Sequence, residues 1–210
     1  MNEIVKKRNK LLAETVIKGL ASRNMTGYYA ETKEEALELA LSLIPEGSTV
    51  TMGGSMSVGE IGLSDALKTG NYHFIDRDAS VDKKQAALAA FSADVYLGSA
   101  NAMTSDGILV NIDGNSNRVA AYAYGPEKLV LIVGMNKVAG PTVDEAMKRA
   151  RNEAATKNAQ RFGLSTPCSK TGTCMNCKSP DTICCQFLIT RMERHKDRVH
   201  VILVGEELGF

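Results

Sequence analysis

Five consecutive apolar residues, Leu129-Val-Leu-Ile-Val133, lie between Lys128 and Gly134. Branched apolar residues at every position suit a strand buried on both faces, and such strands belong to parallel sheets covered by helices. The rest of the chain fits that frame. Strand candidates at 48–52, 72–75, 95–98, 107–112, 128–134 and 199–204 are separated by helical stretches beginning near Ser57, at 80–91, near 118–124 and from Val143 to about Arg161. The alternation predicts an α/β fold with a mainly parallel sheet and helices on both faces.

Helices are expected first. Ile4, Leu11, Leu12, Val16, Ile17 and Leu20 recur at helical spacing, and the first forty residues read as helical throughout. Thr32 and Glu35 have capping-box spacing ahead of a second helix, which Pro45-Glu-Gly47 ends. Composition shifts once, at Leu164, where a helical pattern gives way to Ser, Thr, Gly, Lys and Cys. The expected organisation is a single domain over 1–210. It has N-terminal helices at 1–44, an α/β core at 45–163, a cysteine-rich lobe at 164–186, and a C-terminal element with the last core strand at 187–210.

Composition narrows the partners. Lys plus Arg is 25 and Asp plus Glu is 24, a net charge of +1. That balance argues against nucleic acid or an anionic membrane as a partner. No apolar run approaches the length of a membrane span, and MNEIVKKRNK leads into no signal-type apolar core. A cytoplasmic protein is the default expectation.

Three segments could carry chemistry. In Thr51-Met-Gly-Gly-Ser-Met-Ser-Val-Gly-Glu60 a strand runs into a Gly/Ser loop and then a helix, with Glu60 placed to complete a capping box with Ser57. Gly53 and Gly54 allow close approach of backbone to a ligand, and Ser55 and Ser57 add hydroxyls. The loop is neither Walker A nor G-x-G-x-x-G; its bland alternative is a tight turn without a ligand. In Gly98-Ser-Ala-Asn-Ala-Met-Thr-Ser-Asp-Gly-Ile-Leu-Val-Asn-Ile-Asp-Gly114, the side chains of Asn101, Asp106, Asn111 and Asp113 could converge on a polar ligand. Asp106-Gly107 and Asp113-Gly114 are equally ordinary turn pairs.

The third segment holds every cysteine of the chain. Cys168, Cys174, Cys177, Cys184 and Cys185 are spaced C-x5-C-x2-C-x6-C-C. Clustering of this kind reads first as a metal site. Cys174 and Cys177 can grip one metal, with Cys168 and Cys184 supplying two further corners. Four sulfurs suit zinc or an iron–sulfur cluster, and the spacing does not choose between them. Cys185 either points elsewhere or replaces Cys184. The alternative is a set of free thiols or an oxidised pair. His73 is expected to be packed within a strand, and no histidine pairs with a nucleophile. Lys137 follows the buried strand, where strand ends face ligands, although an exposed loop lysine is the simpler reading.

Taken together, Thr51-Met-Gly-Gly-Ser with Glu60-Ile-Gly, Gly98-Ser-Ala-Asn-Ala with Asp106-Gly107 and Asn111, Leu131-Ile-Val-Gly-Met-Asn-Lys-Val138, Ala150-Arg-Asn and the terminal Val201-Ile-Leu-Val-Gly-Glu-Glu-Leu-Gly resemble the lactate-utilisation (LUD) domain family. The resemblance implies a fold like that of ribose-phosphate isomerases, glucosamine-phosphate deaminases and CoA transferases, in which the first Gly/Ser loop contacts phosphate or another anionic group. Isomerases of that fold rely on acidic residues and a lysine, and the resemblance implies that Glu60, Asp106 and Lys137 are the catalytic positions here. It also implies lactate or other organic-acid oxidation, alongside other iron–sulfur subunits, which favours a [4Fe-4S] cluster over zinc. The expected ligand is a small carboxylate or phosphate, held at Gly53, Gly54, Ser55, Ser57, Asn101 and Asn111. A homodimer is allowed but not required. Two other readings remain: a sugar-phosphate isomerase- or transferase-like enzyme with structural zinc, and a non-catalytic ligand sensor.

Overall fold

The computed structural model describes residues 2–210. In chain order the elements are α1 (Glu3–Ser22), β1 (Thr26–Ala30), α2 (Lys33–Ser42), β2 (Thr49–Met52), α3 (Met56–Glu60), α4 (Leu63–Thr69), β3 (His73–Ile75), α5 (Lys83–Ala89), β4 (Val95–Gly98), β5 (Ala102–Met103), β6 (Leu109–Asp113), α6 (Asn117–Ala123), β7 (Lys128–Gly134), α7 (Val143–Arg149), α8 (Thr156–Arg161), α9 (Pro167–Thr171), β8 (Gln186–Thr190) and β9 (Val199–Val204). Six strands form a sheet in the order β1-β9-β7-β4-β2-β3, and every pairing in it is parallel.

The apolar run occupies β7, between β4 and β9. Leu129, Leu131 and Val133 pack on one side with Ala13, Val16 and Leu20 of α1 and Ala121 of α6. Val130 and Ile132 pack on the other with Ala36 and Ala40 of α2, Val58 of α3 and Leu63 of α4. A strand between two helical layers has no face left for polar side chains, which explains why its sequence does not alternate.

The strands differ from the sequence reading in two regions. Residues 26–30 are not helical. Asn24, with φ of 57°, reverses the chain after α1, and Thr-Gly-Tyr-Tyr-Ala then pairs with β9 as an edge strand. The aromatic and β-branched residues favour this extended state. Gly27 is needed because a Cβ there would lie 2.9 Å from Leu20 of α1. The second is a separate three-stranded sheet, in which β6 pairs antiparallel with β5 and β8, two strands that the sequence reading did not expect.

Helix starts also differ. Ser55, not Ser57, caps α3 by accepting from the Val58 N–H at 3.5 Å. At Thr32 only the forward half of the box forms: Glu35 N–H donates to the Thr32 hydroxyl, while the Glu35 carboxylate accepts from Glu31 N–H. A complete capping box stands at Thr142 and Glu145, starting the helical stretch 143–161. That stretch is broken in its middle by a π-helical segment, Ala150–Ala155. His73 is exposed, because β3 is the edge strand. Among the described residues no helix is long and apolar enough to cross a membrane.

Candidate functional site

All strands of the large sheet end at the same edge. From β2 the chain moves outward to β3, whereas from β4 it moves the opposite way to β7. Where connections diverge like this, the loops separate and leave a crevice at the carboxyl ends of the strands. Gly53-Gly54-Ser55 follows β2 and Ser99 follows β4, so these loops border the crevice. Met135-Asn136-Lys137 follows β7 as a single 3-10 turn.

That turn points Lys137 inward, leaving it 3% exposed. Its Nζ donates to Ser57 Oγ at 2.8 Å and to Ser99 Oγ at 2.9 Å. Burial pushes its pKa down from 10.5 to about 7; the like charges of Arg149 and Arg118 act in the same direction, and Glu60 opposes them. Lys137 is therefore not an exposed loop lysine.

Arg118 of α6 organises the neighbouring wall. Its Nη1 donates to Asn111 Oδ1 at 2.7 Å, and its Nη2 donates to Asn101 Oδ1 at 3.1 Å and to the Ile112 carbonyl at 2.5 Å. The guanidinium lies over the Tyr122 ring, 5.4 Å from its centroid. Asn111 is fully buried, and its Nδ2 has no partner. Arg149 adds a second cation, its Nε and Nη1 donating to the carbonyls of Asn136 and Asn101. Asp113 is buried rather than at an exposed turn. Its carboxylate accepts from the N–H groups of Asn115, Ser116, Arg118 and Val119, which fixes the start of α6.

The Gly/Ser loop faces further cations. A Cβ on Gly54 would lie 3.6 Å from Arg77 Nη2 and 3.9 Å from Arg161 Nη2, and Arg161 Nη1 donates to the Gly54 carbonyl. A Cβ on Gly53 would lie 3.0 Å from the Tyr96 hydroxyl. Thr51, Met52, Arg77, Tyr96 and Asn117 line a narrow cleft beside this loop.

The structure thus gathers Gly53, Gly54, Ser55, Lys137 and Asn101 around the crevice, whereas Ser57 and Asn111, expected to contact the ligand, are fully buried behind Lys137 and Arg118. Glu60 adjoins the crevice: its exposed carboxylate accepts from Gly209 N–H at 2.8 Å and acts electrostatically on Lys137. Asp106 is not brought to this group. It sits at a turn against α1, where Thr104 donates to its carboxylate, Arg23 pairs with it, and both hold its pKa below the usual range.

The cysteine lobe forms a second feature. Cys168, Cys174, Cys177 and Cys184 line one cavity of about 80 Å³, together with Arg151 and Ala155 of the π-helical segment. Cys185 is exposed and does not line it. Among the described residues no three Cys, His, Asp or Glu side chains are gathered closely enough to hold a single metal ion. The thiols surround the cavity instead of meeting at a point. Burial raises the pKa of Cys184, and negative charge on Cys174, Cys168 and Cys177 raises it further. Arg151 Nη2 lies 3.4 Å from Cys174 Sγ, and the Thr166 hydroxyl lies 3.1 Å from Cys168 Sγ. The two features flank β6: Asn111 bonds to Arg118, while Ile112 packs with Ala146, Ala150 and Cys184.

Reading the sequence passed over Ser99, Arg77, Arg118, Arg149 and Arg161. An isolated arginine on a helix carries no local signature, and only the fold aims these at one edge of the sheet. Ser99 did carry a signal, because it directly follows a predicted strand that ends in glycine.

The LUD domain profile matches residues 13–204. A DUF162-family protein from Deinococcus radiodurans, known from its crystal structure, superimposes with a TM-score of 0.51 at 13% sequence identity, covering 95% of this chain and 98% of that one. At that identity the likeness concerns the fold alone. No curated protein matches the chain.

Proposed function

The chain belongs to the LUD domain family, and we propose that it binds a small organic anion in the crevice, carries an iron–sulfur cluster in the cysteine cavity, and serves in lactate or other organic-acid oxidation. The observation that carries the anion reading is the convergence of Lys137, Arg118 and Arg149 on one strand-end crevice with Glu60 as the one acid acting on Lys137. Cations that are partly desolvated attract a carboxylate or phosphate more strongly than exposed ones. Asn111 supports the site from behind, its Oδ1 fixing the Arg118 guanidinium.

For the cavity, the donor set fits a cluster. Four thiols line it, and four adjacent thiolates without a metal would repel one another. A single tetrahedral zinc, with Zn–S of about 2.3 Å, draws its sulfurs to about 3.8 Å from one another. Thiols spread around a cavity suit a larger, multi-iron group better. Cys168, Cys174, Cys177 and Cys184 would hold it, and Arg151 would offset its negative charge. Such a cluster supplies one-electron transfer when bound, so other iron–sulfur subunits are the partners this reading expects.

Anaerobic purification with iron, sulfide and zinc analysis tests the cluster. Brown protein with matched iron and sulfide supports it; colourless protein with one zinc per chain replaces it with a structural metal. Calorimetric titration with lactate, pyruvate and phosphate tests the crevice. Binding that weakens at least tenfold in Arg118→Met supports the site, and binding unchanged by that substitution removes it.

A further inference from the structure

We propose that Ser99 is an acyl-accepting nucleophile and Lys137 its general base, for esters or thioesters of small carboxylic acids. The proposal rests on the crevice reading only for where the acid's carboxylate sits.

Two serines contact the lysine, and they differ. Ser57 is fully buried and cannot meet a substrate. Ser99 is partly exposed, at the first position beyond β4, on the crevice. Its Oγ lies 2.9 Å from Lys137 Nζ, and Ser57 Oγ lies 2.8 Å from the same nitrogen. A nucleophile within hydrogen-bond reach of a base, with that base oriented by a third group, is the arrangement that activates hydroxyls in enzymes, and serine–lysine versions occur. The backbone of Ser99 is fixed as well. The Tyr122 hydroxyl accepts from Ser99 N–H at 2.9 Å and donates to the Ser99 carbonyl at 2.8 Å.

A lysine serves as a base only when neutral. Burial and the charges facing Lys137, Arg149 from the α7 end and Arg118 from α6, favour the neutral amine near pH 7, against the single opposing charge of Glu60 from α3. In the neutral state the hydrogen bond reverses and the Ser99 hydroxyl donates to Nζ. As Ser99 Oγ bonds to the acyl carbon, its proton passes to Lys137 Nζ. The carbon–sulfur or carbon–oxygen bond of the substrate breaks, and the leaving group takes that proton. Water or a second acceptor then removes the acyl group from Ser99, with Lys137 again receiving and returning a proton. No electrons leave the system. Arg118 and Arg149 provide positive charge for the acid's carboxylate.

The test is labelling by a fluorophosphonate, a neutral probe that needs no anion site, followed by peptide mass spectrometry. The expected result is modification of Ser99, at a rate that rises as pH passes through about 7. Lys137→Met should slow it roughly 100-fold, the lower end of general-base effects, and Ser57→Ala should slow it less. Absence of label on Ser99, or a rate equal to the wild type in folded Lys137→Met, overturns the proposal. If Lys137→Met does not fold, the wild-type pH profile decides: a flat profile overturns the base role. The two readings fail separately: Ser99 labelled in a Lys137-dependent way on a protein that binds none of lactate, pyruvate and phosphate keeps this proposal and removes the anion site, and anion binding without label on Ser99 does the reverse.

Discussion

Arg118 Nη1 and Asn111 Oδ1 lie 2.7 Å apart, a bond that uses the carbonyl end of the amide and leaves Nδ2 buried without a partner. The same guanidinium holds Asn101 and the Ile112 carbonyl. One side chain from α6 thereby ties β6 to the crevice wall. Arg118→Met should cost about 2–3 kcal/mol, because several partly buried acceptors lose their donor. Urea unfolding of the two proteins checks this; a difference below about 0.5 kcal/mol contradicts it.

Lys137 predicts a pH dependence of folding. Its pKa is about 7 when folded, against 10.5 for an ordinary lysine. Between those values the unfolded chain holds a proton that the folded chain lacks, so raising the pH through this window stabilises the fold. Below pH 7 both states hold the proton and the burial cost is constant. The gain across the window is up to about 5 kcal/mol. Urea unfolding at pH 7 and pH 9.5 should show stability rising more steeply in the wild type than in Lys137→Met.

Gly98 has no room for a side chain. A Cβ there would overlap the Tyr122 hydroxyl and lie 2.8 Å from Cζ of that ring. Gly98→Ala should lose about 3 kcal/mol through overpacking. It should also slow labelling of Ser99, because Tyr122 holds the Ser99 backbone on both sides. Thermal unfolding and the labelling rate, measured on the same sample, check both effects.

The two adjacent cysteines should behave oppositely. Cys184→Ser removes a group that lines the cavity and should lower bound iron sharply, whereas Cys185→Ser should leave it unchanged. Iron analysis after anaerobic purification decides. Arg151→Ala should lower the reduction potential of the bound cluster, since a nearby cation favours the more negative, reduced state.

Much of this fold was legible because burial leaves a mark on sequence. Leu129-Val-Leu-Ile-Val133 announced a central parallel strand, and β4 and β9 stand at the residues expected for them. Thr26–Ala30 escaped notice because five residues between two helices present too short a pattern to outweigh their flanks. Residues 107–112 did read as a strand, but nothing local distinguishes a parallel core strand from an antiparallel one. At the crevice, Gly53, Gly54 and Lys137 stood out by their place after strands. Arg118, Arg149 and Arg161 did not, because they reach it from helices distant in the chain. The separate roles of Asp106 and Asn111 were equally hidden: which carboxylate meets an arginine at a turn is decided by tertiary neighbours.

The π-helical turn at Ala150–Ala155 has a mechanical consequence. Such a turn accommodates one extra residue, so everything after it stands roughly 100° short of where α-helical winding would carry it. Arg149, before the offset is complete, reaches the carbonyls of Asn101 and Asn136, while Arg151, Ala155 and Ala159 line the sulfur cavity and Arg161 returns to Gly54. One rod therefore addresses two chambers. Regular α-helical winding of the same residues would turn its far end by roughly 100°, away from both.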